Sequence, residues 1–263
     1  MDTRKKKIIV AAYPKSGSTW LSRLTAEVVG CPVNGFLNAD FKEMAQEGEE
    51  RKSTFEVYKS HHQFHDLSAE DQKQAHIIYL LRDPRDIYLS GLHYFRLHLF
   101  PIRATARESI VHKLKRFANK LLHAARAKAL LPKRLHTAIV HGNAKLHHWC
   151  RVSWTAHVVD YINRPNVLLL KYESLLDEPK KACRAISQFL ELEVDESVID
   201  TAIANQSFSN KRELFILEGD PQKLRFLRKG LKEQWKEEQN DPQIAALALA
   251  LEPQLKKFDY PSS

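Results

Sequence analysis

The chain has 263 residues, 43% of them hydrophobic and 28% charged, with a net charge of +9; that is enough to bury a full core and suits one large α/β domain better than two small ones. Three cysteines, Cys31, Cys150 and Cys183, are odd in number and widely spaced, which excludes a disulfide framework and a cysteine-ligated metal site and points to a reducing cytoplasm. Only about five apolar residues follow the N-terminal charges, too few for a signal-peptide core or a membrane span, so a soluble, cytoplasmic protein is expected.

The run from Lys5 to Val10 reads as a buried parallel strand that breaks at Tyr13-Pro14. It passes through Lys15-Ser16-Gly17-Ser18-Thr19 into a helix from about Ser18 to Val29. Such a strand–loop–helix brings unpaired backbone N–H groups, the positive end of the helix dipole, the Lys15 ammonium and the hydroxyls of Ser16, Ser18 and Thr19 to one point, a cradle for phosphate or sulfate. It is not a Walker A loop, in which Gly-Lys precedes Ser/Thr; here the lysine comes two residues before the glycine. Read without a ligand, the same stretch is a capped buried helix.

Cys31 to Arg51 has little pattern and reads as loop. Residues 54–59 alternate as a strand and end at Lys59-Ser60-His61-His62, the edge at which a parallel sheet holds ligands. Ser68 with Asp71 predicts a capped short helix, and Ile77 to Leu81 a second buried strand that runs into Arg82-Asp83-Pro84-Arg85-Asp86. A helix follows from about Pro84 through Ser90 to Phe95. Residues 104–162 are helical by period, with breaks expected at Pro132 and Gly142-Asn143. Asn166 to Leu170 is a further strand, ending in Lys171-Tyr172-Glu173. Helices then run from Asp177 and Pro179 to Leu190 and from Asp195 to Ala204, followed by a cationic loop, Arg225 to Lys232, and a last helix opened by Asp241-Pro242. Strands separated by helices predict a single α/β domain over 1–263, a doubly wound parallel sheet flanked by helices.

The positive charge is concentrated in one insert. Between Arg96 and Arg134 stand eleven Lys/Arg against one acid, Glu108. Within it Ile110, Leu114, Phe117 and Leu121 recur at helical spacing while Lys113, Arg116 and Lys120 take another face, a basic amphipathic helix over 104–130. A solvated face, a lure for an anionic acceptor and a peripheral contact with an acidic membrane surface are all open to it. Aromatic residues do not interleave with the charges as in a nucleic-acid stacking platform, so no DNA or RNA partner is expected.

Tyr13-Pro14-Lys15-Ser16-Gly17-Ser18-Thr19-Trp20 resembles the 5′-phosphosulfate-binding loop of the cytosolic type of sulfotransferases, which use 3′-phosphoadenosine 5′-phosphosulfate (PAPS). Arg82, with Ser90 eight residues later, resembles their 3′-phosphate-binding motif. Lys59-Ser60-His61 resembles the segment carrying the family's catalytic histidine, Ser153-Trp154 with His157 a Ser-Trp…His segment, and Lys171-Tyr172-Glu173 the segment whose tyrosine faces the adenine. Arg228-Lys229-Gly230, with Trp235 beyond, resembles the loop closing over the 3′-phosphate, and the similarity runs from residue 8 to about 236. The resemblance implies the P-loop-like sulfotransferase fold, PAPS as co-substrate with 3′-phosphoadenosine 5′-phosphate (PAP) as product, no metal, and a small-molecule, lipid or sugar acceptor. It implies that His61, Lys15, Lys59 and Ser90 serve catalysis. Lys15, Ser16, Gly17, Ser18, Thr19, Trp20, Arg82, Ser90, Tyr172, Ser207, Phe208, Arg228, Lys229 and Gly230 would hold the nucleotide. The chain departs from the pattern at Glu233, where the family usually has a second glycine, and at Gln206, where it often has threonine. The family's short dimerisation motif is not recognisable after Trp235, so oligomeric state does not carry over.

Sulfuryl transfer independently asks for these residue types. Its in-line, loosely bonded transition state is stabilised mainly by positioning and by charge on the leaving group, which suits Lys15, Lys59 and the loop amides, while His61 takes the acceptor's proton. A nucleotide-dependent kinase and a non-catalytic nucleotide or anion binder are the alternatives; the kinase would want a Walker lysine and a Mg²⁺-binding acid.

Overall fold

The computed structural model describes residues 5–38, 46–98, 129–219 and 230–261, which form two compact units, residues 1–83 with 154–233 and residues 84–153 with 234–263. The first unit is built on a five-stranded, wholly parallel sheet. Strand β1 (Lys6–Ala11) leads to helix α1 (Ser18–Val29), and β2 (Val33–Phe36), β3 (Phe55–Ser60), α2 (Ala69–Gln74) and β4 (His76–Leu81) follow. The segment 31–51, expected as loop, thus contains a strand. Four residues with an irregular register against β3 are too few to show a period.

The second unit contains α3 (Pro84–His98), a helix α4 over 129–141, and, late in the chain, α10 (Pro242–Ala250) and α11 (Glu252–Lys257). Helix α4 runs through Pro132, which therefore does not act as the break expected of it, while Gly142 at φ 83° ends the helix as predicted. Arg85 is fully buried in this unit; its guanidinium lies 3.6 Å over the Trp235 ring and donates to the Pro261 carbonyl at 2.7 Å. Asp86 accepts from the Trp235 backbone N–H at 3.1 Å, and the Tyr88 hydroxyl donates to Asp241, the residue that caps α10.

The chain between α4 and α10 returns to the first unit with α5 (Trp154–Tyr161), β5 (Val167–Lys171), α6 (Tyr172–Asp177), α7 (Pro179–Phe189), α8 (Glu196–Asn205) and α9 (Phe208–Leu217). Helices α6 and α9 were not anticipated. Each is short or weakly amphipathic, and α9 shows itself in sequence only through Ser207, whose hydroxyl caps its first turn by accepting from the Asn210 N–H.

In the sheet the order is β2-β3-β1-β4-β5. From Ile8 to Ala11 strand β1 is fully buried, as a continuous apolar run must be when helices cover both faces; Ile8, Ile9 and Val10 each contribute about 1.5–3 kcal/mol. After β3 the chain crosses over β1 to lay down β4. The carboxyl ends of β3, β1 and β4 therefore flank a topological switch point, the place where open α/β sheets bind ligands.

Candidate functional site

The loop after β1 fills that switch point. Lys15 adopts φ 72° and Gly17 φ 99°, so the chain turns through two left-handed residues before α1 begins. Gly17 stands at the helix N-cap without a capping side chain, no acid lies in the first turn, and the Gly17 carbonyl already accepts from Trp20 and Leu21. The helix therefore does not satisfy its own first amides, and its positive end is not neutralised. Ser16 is fully buried and its hydroxyl has no hydrogen-bond partner among the described residues, an arrangement costing about 1–3 kcal/mol unless a ligand oxygen completes it. A tetrahedral anion fits these donors.

Glycine is required at position 17 twice over. Besides the positive φ, an added Cβ would lie 2.8 Å from the Tyr172 ring. Tyr172, at the start of α6, is 5% exposed, packs edge-on to Trp20 at 6.0 Å and carries the Arg82 guanidinium 4.1 Å over its face. Trp20 donates its indole N–H to the Gln206 carbonyl at 2.9 Å, tying α1 to the end of α8.

Lys59 closes the other side of the loop: its ammonium donates to the Thr19 hydroxyl at 3.0 Å and rests 4.3 Å over the Phe36 ring. Two residues on, His61 is 8% exposed, and its Nδ1 lies 2.7 Å from the Ala12 carbonyl oxygen. A carbonyl can only accept, so Nδ1 carries the proton and the neutral ring keeps its lone pair at Nε2, the tautomer a general base needs. Burial first, and then the Lys59 charge, hold the His61 pKa well below the ordinary histidine value, against the opposing hydrogen bond to Ala12.

Arg82, at the end of β4, donates to the Lys15 carbonyl at 3.2 Å and to the Leu231 carbonyl at 3.3 Å, so it touches both the anion loop and the segment after Gly230. Behind it the half-buried Glu173 accepts from the Asp83 N–H at 3.0 Å, and desolvation raises its pKa. Gly230 lies against Phe208: a Cβ there would meet the ring at 2.7 Å. Glu233 takes φ 55°, a backbone that costs a non-glycine residue on the order of 1 kcal/mol. Lys232 pairs with Asp177 of α6.

Lys15, Ser16, Gly17, Ser18, Thr19, Trp20, Lys59, His61, Arg82 and Tyr172 thus gather around one loop, while Ser207, Phe208 and Gly230 meet at the start of α9. Ser90 lies on α3 in the second unit and is half-buried. Arg228 and Lys229 fall outside the described residues, as do the basic helix 104–130 and most of the insert 96–134. Sequence reading assigned no role to Phe36, Tyr79, Tyr161 or Glu173. Phe36 sits in a segment without period, and the others look like ordinary core or strand-end residues until their partners are known.

A family model described as "Sulfotransferase domain" matches residues 5–259. Among curated relatives, the 3-beta-hydroxysteroid sulfotransferase of Cavia porcellus is 26% identical over 248 residues, covering 87% of this chain and 76% of the relative. The amine sulfotransferase of Oryctolagus cuniculus is 21% identical over 283 residues, covering 98% and 83%. Among solved structures, mouse sulfotransferase SULT7A1 complexed with PAP superposes with a TM-score of 0.65 at 21% identity, covering 96% of this chain and 85% of that one. No described helix is long and apolar enough to cross a membrane.

Gly17→Ala is expected to destabilise the fold by about 1–3 kcal/mol through strain at positive φ, with Gly17→Ala/Tyr172→Leu recovering only the clash; thermal unfolding of the two variants separates the terms. In an NMR titration of the protein without ligand, the His61 ring stays neutral until well below pH 6.5, and Lys59→Met moves its midpoint upward because a repelling charge is gone. An unchanged midpoint would rule out Lys59 as a cause.

Proposed function

This chain belongs to the sulfotransferase-domain family, and on that premise we propose that it transfers the sulfuryl group of PAPS to a hydroxyl or amine of a small-molecule acceptor. The observation that carries this reading is the hydrogen bond from His61 Nδ1–H to Ala12, at 2.7 Å, because it sets a neutral imidazole beside a loop whose helix start has no capping side chain and whose Ser16 hydroxyl has no partner among the described residues. The hydroxysteroid and amine relatives support an acceptor of this class.

In the proposed reaction the acceptor's lone pair forms a bond to sulfur as the bond from sulfur to the bridging oxygen breaks. The bond's electron pair stays on the 5′-phosphate of PAP, and the acceptor's proton passes to His61 Nε2. Lys15 and the first-turn amides of α1 hold the charge that grows on the leaving phosphate, and an interaction strongest at that moment lowers the barrier instead of merely tightening binding. Lys59, parked on Thr19, is within reach of the same oxygens once a donor is bound. Arg82 is assigned to the 3′-phosphate, for which it would exchange its two carbonyl partners for a charge-assisted, bidentate one. Ser90, Arg228, Lys229 and Gly230 are assigned to that phosphate, and Trp20, Tyr172, Ser207 and Phe208 to the adenosine, by the family resemblance. Phosphate bound at the loop also offsets the Lys15 and Lys59 charges felt by His61, so donor binding makes the base stronger.

Calorimetric titration with PAP in metal-free buffer, set against ADP, tests the donor: binding that depends on the 3′-phosphate is expected, and equal binding of ADP with a Mg²⁺ requirement would favour the kinase. Arg82→Ala should weaken PAP far more than adenosine 5′-phosphosulfate, which lacks the 3′-phosphate; equal weakening removes that role. His61→Ala should keep PAP binding while turnover falls on the order of 100- to 10,000-fold.

A further inference from the structure

His61 is held at its main chain as well as at its ring. His157, on α5 and fully buried, has Nε2 3.2 Å from the His61 carbonyl oxygen and Nδ1 2.8 Å from the Tyr79 hydroxyl. The carbonyl must accept, so His157 Nε2 carries the proton; in the neutral ring Nδ1 then accepts, and the Tyr79 O–H donates. The Tyr79 hydroxyl oxygen in turn takes a hydrogen bond from the Tyr13 backbone. Tyr13 N–H belongs to the same peptide group as the Ala12 carbonyl that receives His61 Nδ1–H. The bonds therefore close a circuit that runs in one sense from Tyr13 N–H to Tyr79, to His157, to the His61 carbonyl, and back through the His61 ring to Ala12.

We propose that Tyr79 and His157 are positioning residues for His61, closing with the Ala12–Tyr13 peptide a hydrogen-bonded ring that fixes the imidazole against the first peptide of the anion loop. This rests on the reading of His61 as the base. Every member is buried, and bonds of one sense in a low-dielectric interior polarise one another. The ring is also braced from behind. Tyr161 is stacked on Tyr79 at 4.6 Å and on His157 at 5.6 Å, while its hydroxyl donates to the His62 carbonyl at 2.8 Å. The edge of Tyr13 meets His157 at 5.8 Å. The loop end of β1, the ends of β3 and β4, and α5 are thereby locked together at the atoms where the base must be placed, and about 1 Å of misplacement at a reacting group can cost on the order of 100-fold in rate.

Tyr79→Phe keeps the ring's volume and removes one hydroxyl, while two substitutions divide the roles of His157. Glutamine sets an amide N–H near the Nε2 position and keeps the bond to the His61 carbonyl; asparagine reaches only the Nδ1 position and loses it. Solvent exchange of the His61 Nδ1 proton, followed by NMR in histidine-labelled protein, is expected to quicken at least tenfold in His157→Asn, which loses the bond to His61, and by a smaller and similar factor in Tyr79→Phe and His157→Gln, which lose only the bond between Tyr79 and His157. PAP affinity by calorimetry should remain within about threefold in all three, which a general loss of structure would not allow. PAPS hydrolysis, with water as acceptor, should lose roughly tenfold in kcat at unchanged KM in Tyr79→Phe, and the same change on a His61→Ala background should cost nothing further. Unchanged proton exchange in Tyr79→Phe and His157→Asn, or equal damage from asparagine and glutamine, overturns the positioning ring. If His61→Ala leaves turnover intact while the exchange pattern holds, it is the base assignment that fails and the ring that stands.

Discussion

A helix that starts without a capping side chain costs a protein stability, and α1 carries that cost at the centre of the sheet. Gly17 supplies no capping oxygen, the first turn has no acid, and Ser16 buries a hydroxyl without a partner among the described residues. The rest of the first unit is arranged to hold this unsatisfied end in place. Tyr172 lies against Gly17 where any Cβ would intrude, Arg82 joins the Lys15 carbonyl to the chain beyond Gly230, and Trp20 ties α1 to α8. An anion that supplies the missing acceptors relieves the cost, so binding and local stability are the same quantity at this loop.

The same arrangement sets the electrostatics of His61, the proposed base. Burial, and then the cations gathered at the loop, repel a proton, so the His61 pKa is held well below the ordinary histidine value. Its orientation is imposed by hydrogen bonds that remain satisfied only in one tautomer, with Nδ1–H on Ala12. In the proposed reaction, negative charge arriving at the loop strengthens His61 as a base, because it offsets the cations that repel the proton.

Much of this is legible from residue types. The buried strand 6–11, the uncapped turn at Gly17, the helix to Val29 and the strand ends at Lys59 and Arg82 are local patterns, each fixed by apolar runs, glycine or a terminal cation. What was missed is nonlocal. Strand β2 exists because β3 offers it an edge, α6 begins at a tyrosine read as the end of a strand, and Pro132 is accommodated inside α4. Tyr79 reads as one more apolar position in a buried strand, and Tyr161 as a helix residue; nothing in their neighbours in sequence marks them as partners of the His61 segment, because their contacts with it run through the fold.

The sequence by itself determined the α/β class, the anion loop and the identity of the groups at the strand ends, because hydrophobic period, glycine and backbone amides act over a few residues. Only the tertiary structure decided the sheet order that brings β3 and β4 to either side of β1, the tautomer of His61, and the closure of a ring of hydrogen bonds through Tyr79 and His157. Those depend on which buried donor meets which acceptor, and a buried polar group finds its partner through the fold, not along the chain.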